Sequence, residues 1–357
     1  MKTPTLAVRS ASLAGLLLIA AFGTQAAPPV TPAERQAVIA SVIEEMNRTY
    51  VFPDAAKKVE TALREQQTIK ALNDAADGPA LAKRLTESLR GATHDKHIVV
   101  IYREGQVPVR PQSDDDTPTP EQIAEWRKEG EFENFGVERV ERLPGNIGYI
   151  DLREFAPAAL AGPTLAAAMT LLAYTDTLIV DLRRNGGGDP ETVALACSYL
   201  FDHRTHLNSL YWRKGNRTEQ FWTHEFVQGP RYGQRKPVYV LTSSDTFSAA
   251  EEFSYNLRTQ KRATLVGEAT GGGANPGDVR RLSEHFEMFV PNGRAINPIT
   301  GTNWEGTGVE PHVKVAADKA LDMAQTLALP GIIDGEKDER RKNTLQQRLL
   351  ELKKSLR

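Results

Sequence analysis

The sequence predicts an α/β protein in which a helical N-terminal domain precedes a covered, partly parallel sheet. Two patterns predict it. Residues 31–92 carry apolar positions at helical spacing, whereas from residue 146 onward short runs apolar on both faces alternate with longer helical patterns. Strands that are apolar on both faces belong in a sheet covered on both sides. A third observation is length: 357 residues set a prior of about two domains and are enough to bury a sizeable core.

Taken in order, residues 1–26 read as an export signal. Lys2 and Arg9 give a positive start, residues 13–22 an apolar stretch, and Thr24-Gln25-Ala26 a small-residue cleavage pattern before Ala27. The apolar stretch is too short to cross a bilayer core of roughly 30 Å as a helix. A periplasmic or secreted mature protein without stable membrane insertion is expected. Residues 27–100 form the expected helical domain. Thr31-Pro32-Ala33-Glu34 supplies an N-cap, a proline at the first helical position and a glutamate three residues past the cap. Val38, Ile39, Val42, Ile43 and Met46 then line one face, and further helices are expected over 54–66 and 78–91. A strand over 97–102 opens a connecting segment, 101–145, whose stretch 110–119 is rich in Pro and Asp and reads as linker or loop.

The core domain is expected over 146–332, with strands at 147–152, 178–182, 238–241 and 263–266. Residues 333–357 are highly charged and carry Leu345, Leu349, Leu350 and Leu352 on one side of a helix, read as a solvated surface helix. No internal repeat at a solenoid period is present. Lys+Arg 44 against Asp+Glu 46 leaves a formal net charge of −2, which excludes a global basic field for nucleic acid or membrane surfaces. The single cysteine, Cys197, excludes an internal disulfide and any multi-cysteine metal site.

Sites in α/β sheets form outside the carboxyl ends of strands. Three segments fall there: 183–188 with Gly186, Gly187 and Gly188, 242–251 with Ser248, and 267–273 with a second triple glycine. Glycines let the backbone approach a ligand and aim amides at an anion or developing oxyanion. No Gly-Lys-Ser/Thr follows them, so they are not a nucleotide-phosphate loop. Ser248 stands where a strand turns into a helix, beside the small Ala249 and Ala250. It reads either as a nucleophile or as an ordinary first-turn residue behind a Ser244 or Asp245 cap. A serine nucleophile needs a base, and of seven histidines His97 is the best placed, at the start of the strand leaving the helical domain. His94 and His97 are three apart but lack further ligands, so no metal and no cofactor is expected.

With these segments in view, the chain resembles the carboxyl-terminal-processing, or tail-specific, serine peptidases. The resemblance is to the branch with interphotoreceptor retinoid-binding-protein repeats and related bacterial peptidases. It is carried by Gly145-Asn146-Ile147-Gly148-Tyr149-Ile150, Asp181-Leu182-Arg183-Arg184-Asn185-Gly186-Gly187-Gly188, Thr246-Phe247-Ser248-Ala249-Ala250-Glu251, Gly267-Glu268-Ala269-Thr270-Gly271-Gly272-Gly273 and Trp304-Glu305-Gly306-Thr307-Gly308-Val309-Glu310-Pro311. The helical domain ending in Asp95-Lys96-His97 looks like that branch's N-terminal domain.

The resemblance implies a spiral ββα core of Clp protease/crotonase type and a peptide or unfolded-protein substrate. It implies Ser248 as nucleophile, an oxyanion hole from the amide of Ala249 and that of Gly187 or Gly188, and a supporting role for Glu251. The lysine of the better-known relatives would fall within Gly271-Gly272-Gly273, so a Ser-Lys dyad is absent. His97 and Glu305 instead match the histidine and glutamate of tricorn-like relatives, while Lys96 stands where those carry a serine. The segment between Tyr102 and Gly145 is too short for a PDZ domain. Two rivals share the scaffold. A hydrophobic-ligand binder would use Phe247, Phe253, Phe289 and Trp304, and an acyl-CoA enzyme would leave Ser248 and Glu305 unexplained. Arg183, Arg184, Arg280, Arg281 and Arg294 are candidates for a substrate carboxylate, or plain surface charge.

Overall fold

A computed structural model describes residues 29–109 and 119–357; the export signal expected over 1–26 and most of the polar segment 110–119 lie outside the described residues. The chain opens with α1 (Pro32–Thr49), α2 (Pro53–Arg64), α3 (Gln66–Asn73) and α4 (Gly78–Thr93). Thr31 caps α1 by accepting from the Glu34 amide at 3.2 Å, as the sequence predicts, and Asp77 caps α4 through Ala80 at 2.8 Å. α4 stops at His94, in the left-handed region at φ 58°. That reversal sends Asp95, Lys96 and His97 back toward the rest of the molecule and into β1 (Val99–Tyr102).

The remaining elements follow in order: α5 (Pro120–Phe132), β2 (Val137–Leu143), β3 (Ile147–Leu152), α6 (Ala158–Leu172), β4 (Thr177–Asp181), α7 (Pro190–Ser198), β5 (His206–Trp212), β6 (Arg217–Trp222), β7 (Val238–Thr242), α8 (Ala249–Thr259), β8 (Thr264–Gly267), β9 (Gly277–Arg281), β10 (Phe286–Pro291), β11 (Gly293–Ile296), β12 (Val313–Lys314), α9 (Ala320–Gly335) and α10 (Glu339–Ser355). The main sheet has the order β12-β8-β7-β4-β3-β2, parallel except for the antiparallel edge β2. Side chains alternate across it. Ile150, Leu152, Leu178 and Val180 join the core under α6, α7 and α8. Ile147, Tyr149 and Ile179 join a second core under α9 and α10.

Three parts of the architecture go beyond the sequence reading. The connecting segment contains α5 and the sheet's edge strand. The C-terminal helix is anchored, because Leu345 and Leu352 are buried in the second core, and each such burial contributes about 1.5–3 kcal/mol. Two further three-stranded sheets, β1-β10-β9 and β11-β5-β6, complete the fold. The first makes the seam. Phe286, Met288 and Val290 of β10 pack among Val38, Met46, Leu85 and Leu89 of the helices. β1 runs antiparallel to β10, with Val99 opposite Phe289. Arg213 ties the seam by donating to the carbonyls of Tyr50 and Asn47 at 2.7 and 3.0 Å.

Candidate active site

The loops after β4, β7 and β8 converge at one edge of the main sheet. Ser248 sits between β7 and α8 as the N-cap of that helix, with φ 53° and ψ −120°. A non-glycine residue there costs about 1–3 kcal/mol and persists only where its surroundings enforce it. Glu251 does so by accepting the Ser248 amide at 2.9 Å. The neighbouring loop fits against the serine. Gly187 has φ 120°, and a Cβ on it would lie 2.7 Å from the Ser248 Cβ, so only glycine permits the approach.

His97 Nε2 lies 3.1 Å from Ser248 Oγ. Its ring packs between Phe247 and Phe289, at centroid distances of 4.6 and 5.9 Å. Burial, and secondarily the charge of Arg90, pushes the imidazole pKa down to about 4. The ring is therefore neutral at pH 7. For Nε2 to accept a proton from Ser248, the ring proton must sit on Nδ1. Nδ1 has no hydrogen-bond partner among the described residues and stands 3.9 Å from Asp95 Oδ1.

Two carboxyls face that nitrogen. Asp95 is held by the His97 amide at 3.0 Å, the Tyr50 hydroxyl at 3.2 Å and the Asn275 amide at 2.9 Å; burial raises its pKa. Glu305 accepts from the Ala274 amide at 2.6 Å, while its Oε1 has no partner among the described residues. Burial, then the Asp95 charge, raises the Glu305 pKa to about 8. One ligating atom from each of Asp95, His97 and Glu305 lies within 4.8 Å of the others. His94 is not among them. Both Asp95 oxygens and one of Glu305 already accept hydrogen bonds, so the carboxyls are fixed beside the ring without a hydrogen bond to Nδ1.

The oxyanion donors expected from the sequence separate. The Gly187 amide donates to Asn185 Oδ1 at 2.9 Å and is engaged. Among the described residues, the amides of Gly188 and Ala249 have no acceptor. Both residues border the small pocket that Ser248 lines. Gly273 shows why a lysine-bearing loop does not fit here. A Cβ on it would meet Phe247 at 2.2 Å and His97 Cε1 at 2.6 Å.

Glu251 is the clamp of this assembly. Besides Ser248 it accepts from the Gly272 amide at 2.6 Å, the Gly273 amide at 2.8 Å and the Thr270 hydroxyl. Burial raises its pKa to about 7, against the lowering effect of those donors. It thereby joins the serine loop to the loop beneath His97. Glu251→Ala leaves these donors unsatisfied and is expected to cost about 3–5 kcal/mol. At about 2–4 °C per kcal/mol, a thermal melt should show Tm falling by about 6 °C or more. An unchanged Tm would contradict the clamp.

The arginines singled out in the sequence are engaged elsewhere. Arg183 pairs with Asp181, Arg184 with Asp151 and Arg280 with Asp278. Arg281 donates to the Val107 carbonyl, and Arg294 lies over the Tyr211 ring. Of the aromatic residues weighed as a groove, Phe253 and Trp304 are buried core, and Phe247 and Phe289 pack on His97. Cys197 is buried and its thiol pKa is raised by burial. Sequence reasoning missed Asp95 as a neighbour of the His97 ring and Glu252 as a pocket residue. Asp95 stands two positions before His97, which was the one available hint.

Comparison with known proteins places these segments. A profile described as Peptidase family S41 matches residues 146–315, and one described as the N-terminal domain of Peptidase_S41 in eukaryotic IRBP matches residues 31–134. A carboxy-terminal-processing protease of Bartonella bacilliformis is 27% identical over 180 residues, covering 49% of this chain and 40% of its own. A chloroplastic carboxyl-terminal-processing peptidase 1 of Arabidopsis thaliana is 25% identical over 178 residues, covering 50% of this chain and 35% of its own. The chain thus matches well under half the length of these relatives. The crystal structure of a putative peptidase from Parabacteroides merdae shares the fold, with a TM-score of 0.55 at 18% identity, covering 83% of this chain and 96% of that one.

Proposed function

The chain belongs to peptidase family S41, and on that premise we propose that it hydrolyses peptide bonds with Ser248 as nucleophile and His97 as general base. The observation that carries the reading is the 3.1 Å approach of His97 Nε2 to Ser248 Oγ across the seam between the helical unit and the main sheet. Neutral His97 takes the hydroxyl proton as Oγ attacks the substrate carbonyl. The amides of Gly188 and Ala249 hold the developing oxyanion, where losing one donor typically costs a factor of roughly 10² to 10³. Asp95, whose Oδ1 stands 3.9 Å from Nδ1, and Glu305 flank the ring, and each offsets the imidazolium charge only in its ionised form. His97 then protonates the leaving amine; the neutral ring next takes a proton from a water that attacks the acyl-enzyme, and returns it to Ser248 Oγ as the acid product leaves.

A peptide or unfolded polypeptide is the substrate. Residues 1–26 support a periplasmic or secreted setting, and among the described residues no helix is long and apolar enough to cross a membrane. The ligand-binder alternative is less well supported. The pocket beside Ser248 holds about 40 Å³, against roughly 300–1,000 Å³ for sites that enclose a drug-sized molecule.

The test is hydrolysis of an unfolded polypeptide followed over pH, with new termini read by mass spectrometry. His97 must be neutral to act, and its pKa is pushed down to about 4. The acid limb of kcat/KM should therefore lie near pH 4 rather than near the ordinary histidine value of about 6.5. Activity is present at pH 6 and lost as pH falls through about 4, with circular dichroism confirming a folded chain. Absence of cleavage at every pH, with a stoichiometric lipid extracted from the protein, would contradict the proposal.

A further inference from the structure

The pocket beside Ser248 contains one ionisable wall. Its lining includes Gly188, Leu210, Ala249, Ala295 and Trp304, and into this apolar surface comes Glu252. Glu252 follows Ala249 by one helical turn on α8, so both face the same way. It is 5% exposed, and its Oε1 has no hydrogen-bond partner among the described residues. Asn208 of β5 and Asn256 of α8 lie close enough to bias the carboxyl toward ionisation. Both are fully buried, and neither amide group has a partner in ordinary hydrogen-bonding geometry. The contrast with the adjacent Glu251, satisfied by four donors, is sharp. Leaving a buried carboxyl oxygen unpaired is costly. Such a group in a native protein calls for an explanation, and a ligand that completes it is one.

Resting on the peptidase reading, we propose that this pocket receives the substrate side chain on the acyl side of the scissile bond, and that Glu252 selects a lysine there. The placement follows from the chemistry. A carbonyl attacked by Ser248 and held by the amides of Gly188 and Ala249 lies at the pocket's mouth, because all three residues line it. The side chain nearest that carbonyl belongs to the residue that supplies it. About 40 Å³ holds about three waters, which suits a slender unbranched chain rather than a ring or a guanidinium. Leu210, Ala249, Ala295 and Trp304 would cover the methylenes while the ammonium reaches Glu252. The charges of Asp189 and Glu191 bear on the same carboxyl and add to the negative field. Burial keeps the empty Glu252 protonated, with a pKa of about 8; an arriving ammonium lets it ionise, and the proton leaves to solvent.

The test compares peptides identical except for lysine or norleucine at that position, which share a four-carbon chain and differ by the terminal ammonium. The wild-type protein should cleave after lysine with a kcat/KM at least about tenfold above norleucine, since a site built to pair a polar group rejects the analogue lacking it. Glu252→Gln should erase that advantage, with its Tm and its labelling by a serine-directed fluorophosphonate reporting an intact fold and site. Wild-type protein that is labelled and cleaves norleucine peptides as well as or better than lysine peptides would overturn the lysine assignment alone. Protein that neither labels nor cleaves either peptide would overturn the peptidase reading and this inference with it.

Discussion

Ser248→Ala is expected to lower kcat/KM on an unfolded polypeptide by about 10⁴- to 10⁶-fold, the range seen when the nucleophile of a serine-histidine pair is removed. On the proposed mechanism the residual rate would come from the Gly188 and Ala249 amides, which the substitution leaves in place. The change should leave stability nearly untouched. The Ser248 amide still donates to Glu251, and alanine accepts φ 53° no less readily than serine does. A Tm within about 2 °C of wild type is therefore expected beside the collapse in rate. A variant that cleaves within tenfold of wild type would remove Ser248 from the chemistry.

The second large effect belongs to the helical unit. His97→Ala is expected to cost about 10⁴-fold in kcat/KM, because Ser248 then has no base within hydrogen-bonding reach. Some stability should also be lost, since the ring fills the space between Phe247 and Phe289. His97→Gln fills more of that space and separates the two effects: it should recover much of the Tm and little of the rate. Residues that act as a unit are not additive. Combining His97→Ala with Ser248→Ala should consequently cost no more than Ser248→Ala alone, as measured by kcat/KM. Full additivity of the two losses would mean that the side chains do not cooperate.

Much of this arrangement was legible in the sequence, for physical reasons that differ by residue. The strands β3, β4, β7 and β8 could be read because both of their faces are buried, which leaves short unbroken apolar runs. Their carboxyl ends then located the serine and glycine loops. β5 could not be read so easily. It buries Asn208 and Ser209 beside Leu207 and Leu210, which breaks both the alternating and the all-apolar patterns. The β9–β10 hairpin was hidden for another reason. Its apolar side completes a core made by helices far earlier in the chain, and no local window contains that pairing.

The glutamates after Ser248 show the limit most clearly. In sequence, Glu251 and Glu252 both look like charges favoured by a helix N-terminus. In the fold one turns inward to four donors, and the other enters an apolar pocket with an oxygen left unpaired. Which way each side chain points is decided by the loops that pack on α8. The same holds for Asp95, whose part beside His97 depends on Tyr50 and Asn275 arriving from distant segments.

The central claim is that a histidine contributed by the helical unit activates Ser248. The most direct measurement is the rate at which a serine-directed fluorophosphonate labels the folded protein, with the modified residue mapped by mass spectrometry. A single adduct on Ser248, formed rapidly in wild type and at least about a hundredfold more slowly in His97→Gln, is the predicted result. An adduct on another residue, or labelling of Ser248 at the same rate in both proteins, would contradict it.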